Sequence, residues 1–274
     1  MTASATLRAV EPAGAITPMA PARAVVRLEG VSKSFSAGDE PAVLSGIDLE
    51  IPERGFCAML GRSGSGKSTL LRLIAGLLPP SSGTILVDGI PVDGPPPSAR
   101  YVFQDYGDSL FPWLKARDNV RFGLKHDVTA KGHSREQADH YLELVGLAEA
   151  GDRYPWELSG GMQQRLAIAR ALASRPRILL MDEPFGAVDA LSRARLQDLI
   201  LKLWADLGLT VVLVTHDIEE AVYLAERVIV LDPKGHGLRA SIPVELDQPR
   251  TQLGARDDAR FGLYRRQLHG LVLE

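Results

Sequence analysis

Eight residues, Gly61-Arg62-Ser63-Gly64-Ser65-Gly66-Lys67-Ser68, constrain this chain more than any other stretch. They match G-x-x-x-x-G-K-[ST] and lie between a strand-like and a helix-like run. Before them, Gly55-Phe56-Cys57-Ala58-Met59-Leu60 is apolar and has the length of a buried strand. After them, Thr69-Leu70-Leu71-Arg72-Leu73-Ile74-Ala75-Gly76-Leu77 carries helix formers closed by glycine. Gly61, Gly64 and Gly66 admit backbone angles closed to other residues. Successive N–H groups can therefore curl around a polyphosphate at the positive end of a helix that starts near Lys67. In such a loop the Lys67 ammonium reaches the β- and γ-phosphates and the Ser68 hydroxyl ligates Mg²⁺. The alternative is a plain Gly/Ser turn, against which stand the filled fixed positions and the flanking pattern.

At 274 residues, 45% hydrophobic and 24% charged, the chain has ordinary globular composition and can bury a core without a covalent staple. A net charge of −3 gives no general attraction to nucleic acid, which argues against DNA or RNA as the main partner. The single cysteine, Cys57, cannot form an internal disulfide; in its apolar run it reads as a buried, reduced thiol. No run approaches the ~18 apolar residues of a membrane-spanning helix. Residues 1–24, rich in Ala and Pro, lack a basic segment followed by an apolar core and read as a disordered tail, not a secretory signal.

From Val25 the pattern turns strand-like. Val25–Leu28, Val31–Phe35, a polar turn through Gly38–Pro41, the alternating Ile47–Ile51 and then Thr84–Gly89 predict a small, mostly antiparallel sheet, with a loop over Pro91–Pro97. Phe35 either stacks on a ligand ring or fills its sheet's core, and spacing alone favours the core. Arg100–Gln104 reads as a further strand. A helical region from about Arg117 to Gly151 follows, with Ala138, Tyr141, Leu142, Leu144 and Val145 at helical spacing. Ser159 is placed to cap a helix over Met162–Ala173, with Gly160 and Gly161 at its start. The amides there either face an anion or simply form a cap.

Ile178-Leu179-Leu180-Met181 is an apolar strand delivering Asp182 and Glu183 at its C-terminal end, where ligands bind in parallel α/β sheets. At a polyphosphate site two adjacent carboxylates divide the work: Asp182 supports the Mg²⁺ shell and Glu183 orients the attacking water. Thr210–Thr215 is the next buried strand and ends at His216-Asp217, so His216 either contacts the γ-phosphate or is a structural residue at a helix start. The segment after Leu231 shows no pattern that assigns it a task.

With these residues in place, the chain resembles the ATP-binding-cassette ATPases over roughly Val25 to Leu231. The resemblance rests on the phosphate loop, on Ile178 to Pro184, and on Leu158-Ser159-Gly160-Gly161-Met162-Gln163-Gln164-Arg165, which is similar to the family's signature motif. It implies an α/β P-loop NTPase (RecA-like) core with an antiparallel β subdomain and a helical insertion over about 105–158. By the same resemblance, Gly61 to Thr69, including Arg62, Ser63, Ser65 and Thr69, bind ATP and Phe35 stacks on adenine. Gln104 and His216 act beside Glu183 in hydrolysis, Gln104 joins Ser68 and Asp182 around Mg²⁺, and Asp189 belongs to the D-loop. Met162 and Val188 depart mildly from the family pattern and leave the acids, glycines and histidine intact.

In that family two cassettes pack head to tail around two ATP molecules, which gives Ser159, Gly160 and Gly161 a ligand on the partner copy. The resemblance therefore implies a homodimer or a pair with another cassette chain, bound at the cytoplasmic face of the membrane to separate permease subunits and indirectly to a solute-binding protein. Phe111-Pro112-Trp113-Leu114 is similar to the surface that receives the membrane partner; the alternative places it in the core of the insertion, with Trp113 the best candidate for exposure. Segments around Phe103–Leu114, Asp118–Val120, Leu201–Trp204 and Thr215–Val222 are similar to the nitrate, sulfonate and taurine importer subfamily. The expected organisation is a tail over 1–24, an ATPase domain over 25–235 and a C-terminal extension over 236–274. A soluble cassette acting on macromolecules is the competing reading; such proteins carry two cassettes, or coiled-coil or basic insertions, which this chain lacks.

Overall fold

The computed structural model describes residues 23–35, 42–124, 135–186, 188–232 and 237–273. The expected tail up to residue 22, the turn at Gly38–Pro41, part of the expected helical region and Ala187 lie outside them.

Strands β1 (Ala24–Lys33) and β2 (Leu44–Pro52) pair antiparallel, and β3 (Phe56–Leu60) leads through the glycine-rich loop into helix α1 (Lys67–Ile74). Strands β4 (Ser82–Val87), β5 (Ile90–Pro91) and β6 (Ala99–Val102) follow, then helices α2 (Tyr106–Ser109), α3 (Ala116–Leu124), α4 (Arg135–Leu144) and α5 (Gly160–Leu172). The chain continues through β7 (Ile178–Asp182), α6 (Ala190–Leu207), β8 (Thr210–Thr215), α7 (Ile218–Leu224) and β9 (Arg227–Leu231). It closes with β10 (Leu238–Pro243), α8 (Gln252–Asp257) and α9 (Ala259–Leu273).

Two sheets result. One is antiparallel, in the order β2-β1-β4-β5, as the alternating patterns predict. Where the sequence suggests two short strands at 25–28 and 31–35, a single strand β1 runs through. A register shift between Leu28 and Val31, with Gly30 at φ 58°, absorbs the break as a bulge. The other sheet has the order β10-β9-β3-β8-β7-β6; four of its five pairings are parallel, and the edge strand β10 pairs antiparallel with β9.

The parallel strands are buried on both faces, which is why they read as unbroken apolar runs. Their alternation sorts side chains into two cores. Phe56, Ala58 and Leu60 of β3, with Val211 and Leu213 of β8, face the helical layer built on α3, α5 and the C-terminal helices. Cys57 and Met59, with Val212 and Val214, face α1 and the antiparallel sheet. Burial pushes the Cys57 thiol up to about 12, so it stays protonated and inert at neutral pH. The insertion holds a short helix, α3, α4 and two single 3₁₀ turns over the described part of 105–158, and α3 packs on both α4 and α5.

Met59 is fully buried at the centre of this arrangement. Met59→Ala is expected to cost about 2–5 kcal/mol, read from the denaturant midpoint at unchanged slope. A loss below about 1 kcal/mol would mean that the core between the two sheets is not close-packed.

Candidate active site

Because β3, β8, β7 and β6 are parallel neighbours, their C-terminal ends meet at one edge, and each delivers a residue singled out from sequence. The phosphate loop follows β3, Asp182 ends β7 with Glu183 just beyond, His216 follows β8, and Gln104 lies two residues past β6.

The loop is tight. Gly66 has φ 86°, and a Cβ there would stand 2.8 Å from Leu44 Cδ2 and 3.1 Å from the Val43 carbonyl, so any side chain is excluded by conformation and by space. At Gly61 a Cβ would lie 2.6 Å from Ser65 Oγ, itself buried with no hydrogen-bond partner among the described residues. Lys67 is only 5% exposed; its Nζ donates to the Gly61 carbonyl (2.8 Å) and the Arg62 carbonyl (3.0 Å). Burial pulls its pKa down, and the nearby Glu183 and Asp182 oppose that pull. Unlike α5, α6 and α7, capped by Ser159, Asp189 and Asp217, helix α1 begins without a side-chain cap. Its first amides have no side-chain acceptor, an arrangement that an anion can use.

Ser68 Oγ donates to Asp182 Oδ1 at 2.8 Å, and Tyr101 Oη donates to Asp182 Oδ2 at 2.7 Å, so both oxygens of this buried carboxylate are held. Burial, reinforced by Asp182, pushes the Tyr101 hydroxyl up and keeps it a donor. Glu183 has φ 43°, a left-handed conformation uncommon for a residue with a side chain. Its amide donates to the Val214 carbonyl at 3.0 Å, and its Oε2 stands 3.1 Å from His216 Nδ1. An open groove of about 960 Å³ beside the acids is lined by Arg72, Gln104, Gln163, Asp182, Glu183 and His216, among others.

Phe35 is 62% exposed, with Lys33 Nζ 5.2 Å from its ring centroid, so the core alternative is set aside. It lies at the corner of the antiparallel sheet beside the loop, since Lys33 pairs with Leu44, the neighbour of Gly66. Ser159 Oγ accepts from Met162 N at 3.4 Å, and the helix starts at Gly160, two residues earlier than the sequence pattern indicates. Asp189 Oδ1 accepts from the Leu191 and Ser192 amides (3.1 and 3.0 Å), and the Ser192 hydroxyl first, with these amides behind it, lowers the Asp189 pKa. None of the described contacts joins Ser159, Gly160, Gly161 or Asp189 to the phosphate loop, so within one chain they are not brought together. Within Phe111–Leu114, Pro112 and Trp113 are exposed, Trp113 to 69%, and Phe111 and Leu114 are half-buried, so none of the four belongs to the core of the insertion.

Two participants escaped the sequence reading. Tyr101 sits in an apolar strand, where only the need of a buried hydroxyl for a partner hints at its contact. Glu220, buried in α7, accepts from Thr215 Oγ1 at 2.6 Å directly behind His216, and nothing in the helical pattern marks it.

The ABC transporter family matches residues 44–186. The chain is 49% identical over 206 residues to a taurine import ATP-binding protein of Sinorhizobium fredii, covering 75% of this chain and 76% of that one. It is 48% identical over 203 residues to a nitrate import ATP-binding protein of Synechocystis, covering 74% and 76%. Among solved structures, a dimeric ATP-binding cassette in a post-hydrolysis state bound to ADP and Pi superposes with a TM-score of 0.71 at 34% identity. That match covers 81% of this chain and all of the other.

Burial, the largest influence, raises the Glu220 pKa above its ordinary 4.5. A carboxyl raised in the folded state contributes stability below its unfolded pKa, and the contribution is lost as pH rises through the folded value. The stability of Glu220→Gln relative to the parent is therefore expected to climb from pH ~4.5 towards neutrality, by up to about 1.4 kcal/mol per pH unit, before levelling. Denaturant unfolding across that range checks this; a pH-independent difference would contradict it.

Proposed function

The chain belongs to the ABC transporter family, a transport-coupled ATPase, and from that premise we propose the division of labour among its site residues and the solute class it serves. The observation that carries the proposal is the convergence of Lys67, the Ser68–Asp182 pair and the Glu183–His216 pair at one sheet edge.

The uncapped start of α1 and the loop amides hold the nucleotide's phosphates, with Lys67 supplying a charge whose position two backbone carbonyls fix. The exposed Phe35 ring offers a stacking face to adenine. Ser68, Asp182 and Gln104 would hold Mg²⁺: a hydroxyl, a carboxylate and an amide form the hard-oxygen set this ion takes, and the first two already stand 2.8 Å apart. Bound there, Mg²⁺ would neutralise charge on the phosphate oxygens. Glu183 accepts a proton from the attacking water, and His216, bonded to Glu183 through Nδ1, keeps that carboxylate aimed and presents its other nitrogen to the γ-phosphate.

Ser159, Gly160, Gly161 and Asp189, which no described contact joins to this chain's own loop, serve the site of a second cassette; a similar cassette bound to ADP and Pi is dimeric, which supports this. ATP is then the bridge between two copies, and its hydrolysis releases them. Similarity to import ATP-binding proteins supports a peripheral place at the cytoplasmic face beneath permease subunits, with the exposed Trp113 on the docking surface. A solute-binding protein would act through those permeases.

The solute is a small anionic or zwitterionic molecule of the nitrate, sulfonate or taurine kind. Similarity to taurine and nitrate import proteins across three quarters of the chain supports this. The reading as a macromolecule-acting ATPase has no support, since the structural neighbours are transporter cassettes.

The test is uptake into vesicles carrying this chain with its cognate membrane and capture subunits. Taurine or nitrate uptake should require ATP. Glu183→Gln should retain ATP binding and slow hydrolysis and uptake by about a hundredfold or more, whereas Lys67→Ala should lose ATP affinity. Uptake of sugars, metals or peptides in place of these anions would overturn the solute class. Glu183→Gln hydrolysing at the parental rate would overturn the site.

A further inference from the structure

The segment from Leu238 onward, which sequence patterning leaves without a task, grips one element of the site. That element is α7, the seven-residue helix that starts two residues after His216. Its N-terminal end is held locally: Asp217 Oδ1 accepts from the Glu219 and Glu220 amides (2.8 and 3.2 Å), and Thr215 Oγ1 accepts from the Asp217 amide (3.0 Å). Its inner face is held by Glu220, which accepts from Thr215 Oγ1 (2.6 Å) and Gln197 Nε2 (3.4 Å) and lies 3.8 Å from Arg193, while its far end and outer face are held by the C-terminal segment.

At the far end of α7 the last carbonyls have no partner within the helix. Arg250, only 8% exposed, supplies one. Its Nη1 donates to the carbonyls of Val222 (3.3 Å), Tyr223 (2.9 Å) and Ala225 (2.9 Å), and its Nη2 reaches back to the Val244 carbonyl (3.3 Å). A guanidinium is buried only where such acceptors are supplied, and a helix C-terminus favours a cation. On the outer face of α7, Glu219 pairs with Arg265 (3.1 Å) and Arg256 (3.8 Å). Towards α6, Asp198 Oδ1 accepts from both Tyr223 Oη (2.6 Å) and Gln252 Nε2 (2.9 Å), which ties α6, α7 and α8 at one atom.

His216 itself has a side chain 65% exposed, and Glu183 is its one described polar partner. Its aim therefore depends on where α7 stands, and a helix of two turns has little stability of its own to fix that.

We propose that the C-terminal segment is a brace that sets the placement of His216 against Glu183, with Arg250 as the positioning residue at its centre. Arg250 touches neither nucleotide nor Glu183; it acts through α7. This rests on the roles proposed above for His216 and Glu183.

The experiment compares four variants of the full chain. Arg250→Ala is expected to lower kcat about tenfold while KM for ATP stays within about twofold, the pattern of a lost transition-state arrangement with binding intact. Arg250→Lys should recover part of the loss, because an ammonium with three donors can serve the carbonyls that Nη1 holds but forgoes the Nη2 bond to the Val244 carbonyl. Arg260→Ala is the control within the same segment, removing contacts to Asp258, Asp247 and the Glu245 carbonyl away from α7, and should leave kcat unchanged. Should Arg250→Ala unfold, the surface double variant Arg256→Ala with Arg265→Ala loosens α7 without opening the core, and a severalfold loss of kcat is expected. A second readout is the His216 Nδ1 resonance, which should shift on Glu183→Gln in the parent and cease to do so in Arg250→Ala. Full kcat in folded Arg250→Ala or in the double variant, or an equal loss in Arg260→Ala, would overturn the brace. His216→Ala separates the two levels: a parental rate there would overturn the site reading itself, whereas a loss there with Arg250→Ala unaffected would sink the brace alone.

Discussion

Strands β3, β8 and β7 run parallel in a register that sets Leu60 opposite Thr215 and Asp182 opposite Val214, so three chain segments leave the sheet at nearly the same level. The phosphate loop, His216 and the two acids then need only their own first turns to meet. A one-residue slip of β7 against β8 would turn Asp182 to the opposite face and separate it from Ser68, leaving both loop and acids without function. The register is held on both faces, because each strand supplies alternate residues to two separate cores. Stability and chemistry thus depend on the same pairing, and the strained φ of Glu183 is tolerated because its amide is fixed by the carbonyl of Val214 on the neighbouring strand.

The helix starts of this chain differ in how their amides are satisfied. Asp189 and Asp217 satisfy the amides of α6 and α7 with short side-chain bonds, so those ends are closed. Helix α1 has no such cap, and α5 has only the 3.4 Å contact from Ser159. Two helix ends with incompletely satisfied donors on one chain leave amides that water or an anion can satisfy. In a head-to-tail pair each would share one nucleotide with the other.

Much of this was legible in the residues. Glycine spacing around Lys67, the apolar run ending at Asp182-Glu183 and the alternation over Ile47–Ile51 each have a local physical cause, and each of these elements formed where that cause predicts, whereas the bulge that joins 25–28 and 31–35 into β1 left no such mark. Phe35 was not settled by spacing, since an aromatic next to a strand packs inward or outward with equal local sense, and only the fold shows its ring in solvent. Tyr101 and Glu220 were not legible because their partners, Asp182 and Thr215, come from other strands or depend on a turn whose geometry sequence does not specify. The segment beyond Leu231 was opaque for the same reason. Arg250 and Gln252 work through carbonyls and carboxylates more than twenty residues away, and a mixed polar pattern carries no trace of such contacts.

The central claim, that the site of one copy is completed by the cap of another, is tested most directly by the ATP affinity and hydrolysis rate of Ser159→Arg measured on the same preparation. The account predicts an affinity of the monomer for ATP close to that of the parent, with hydrolysis abolished, because Ser159 lies outside the groove of its own chain. A fall in affinity as large as that caused by Lys67→Ala would place Ser159 in its own chain's site and contradict the account.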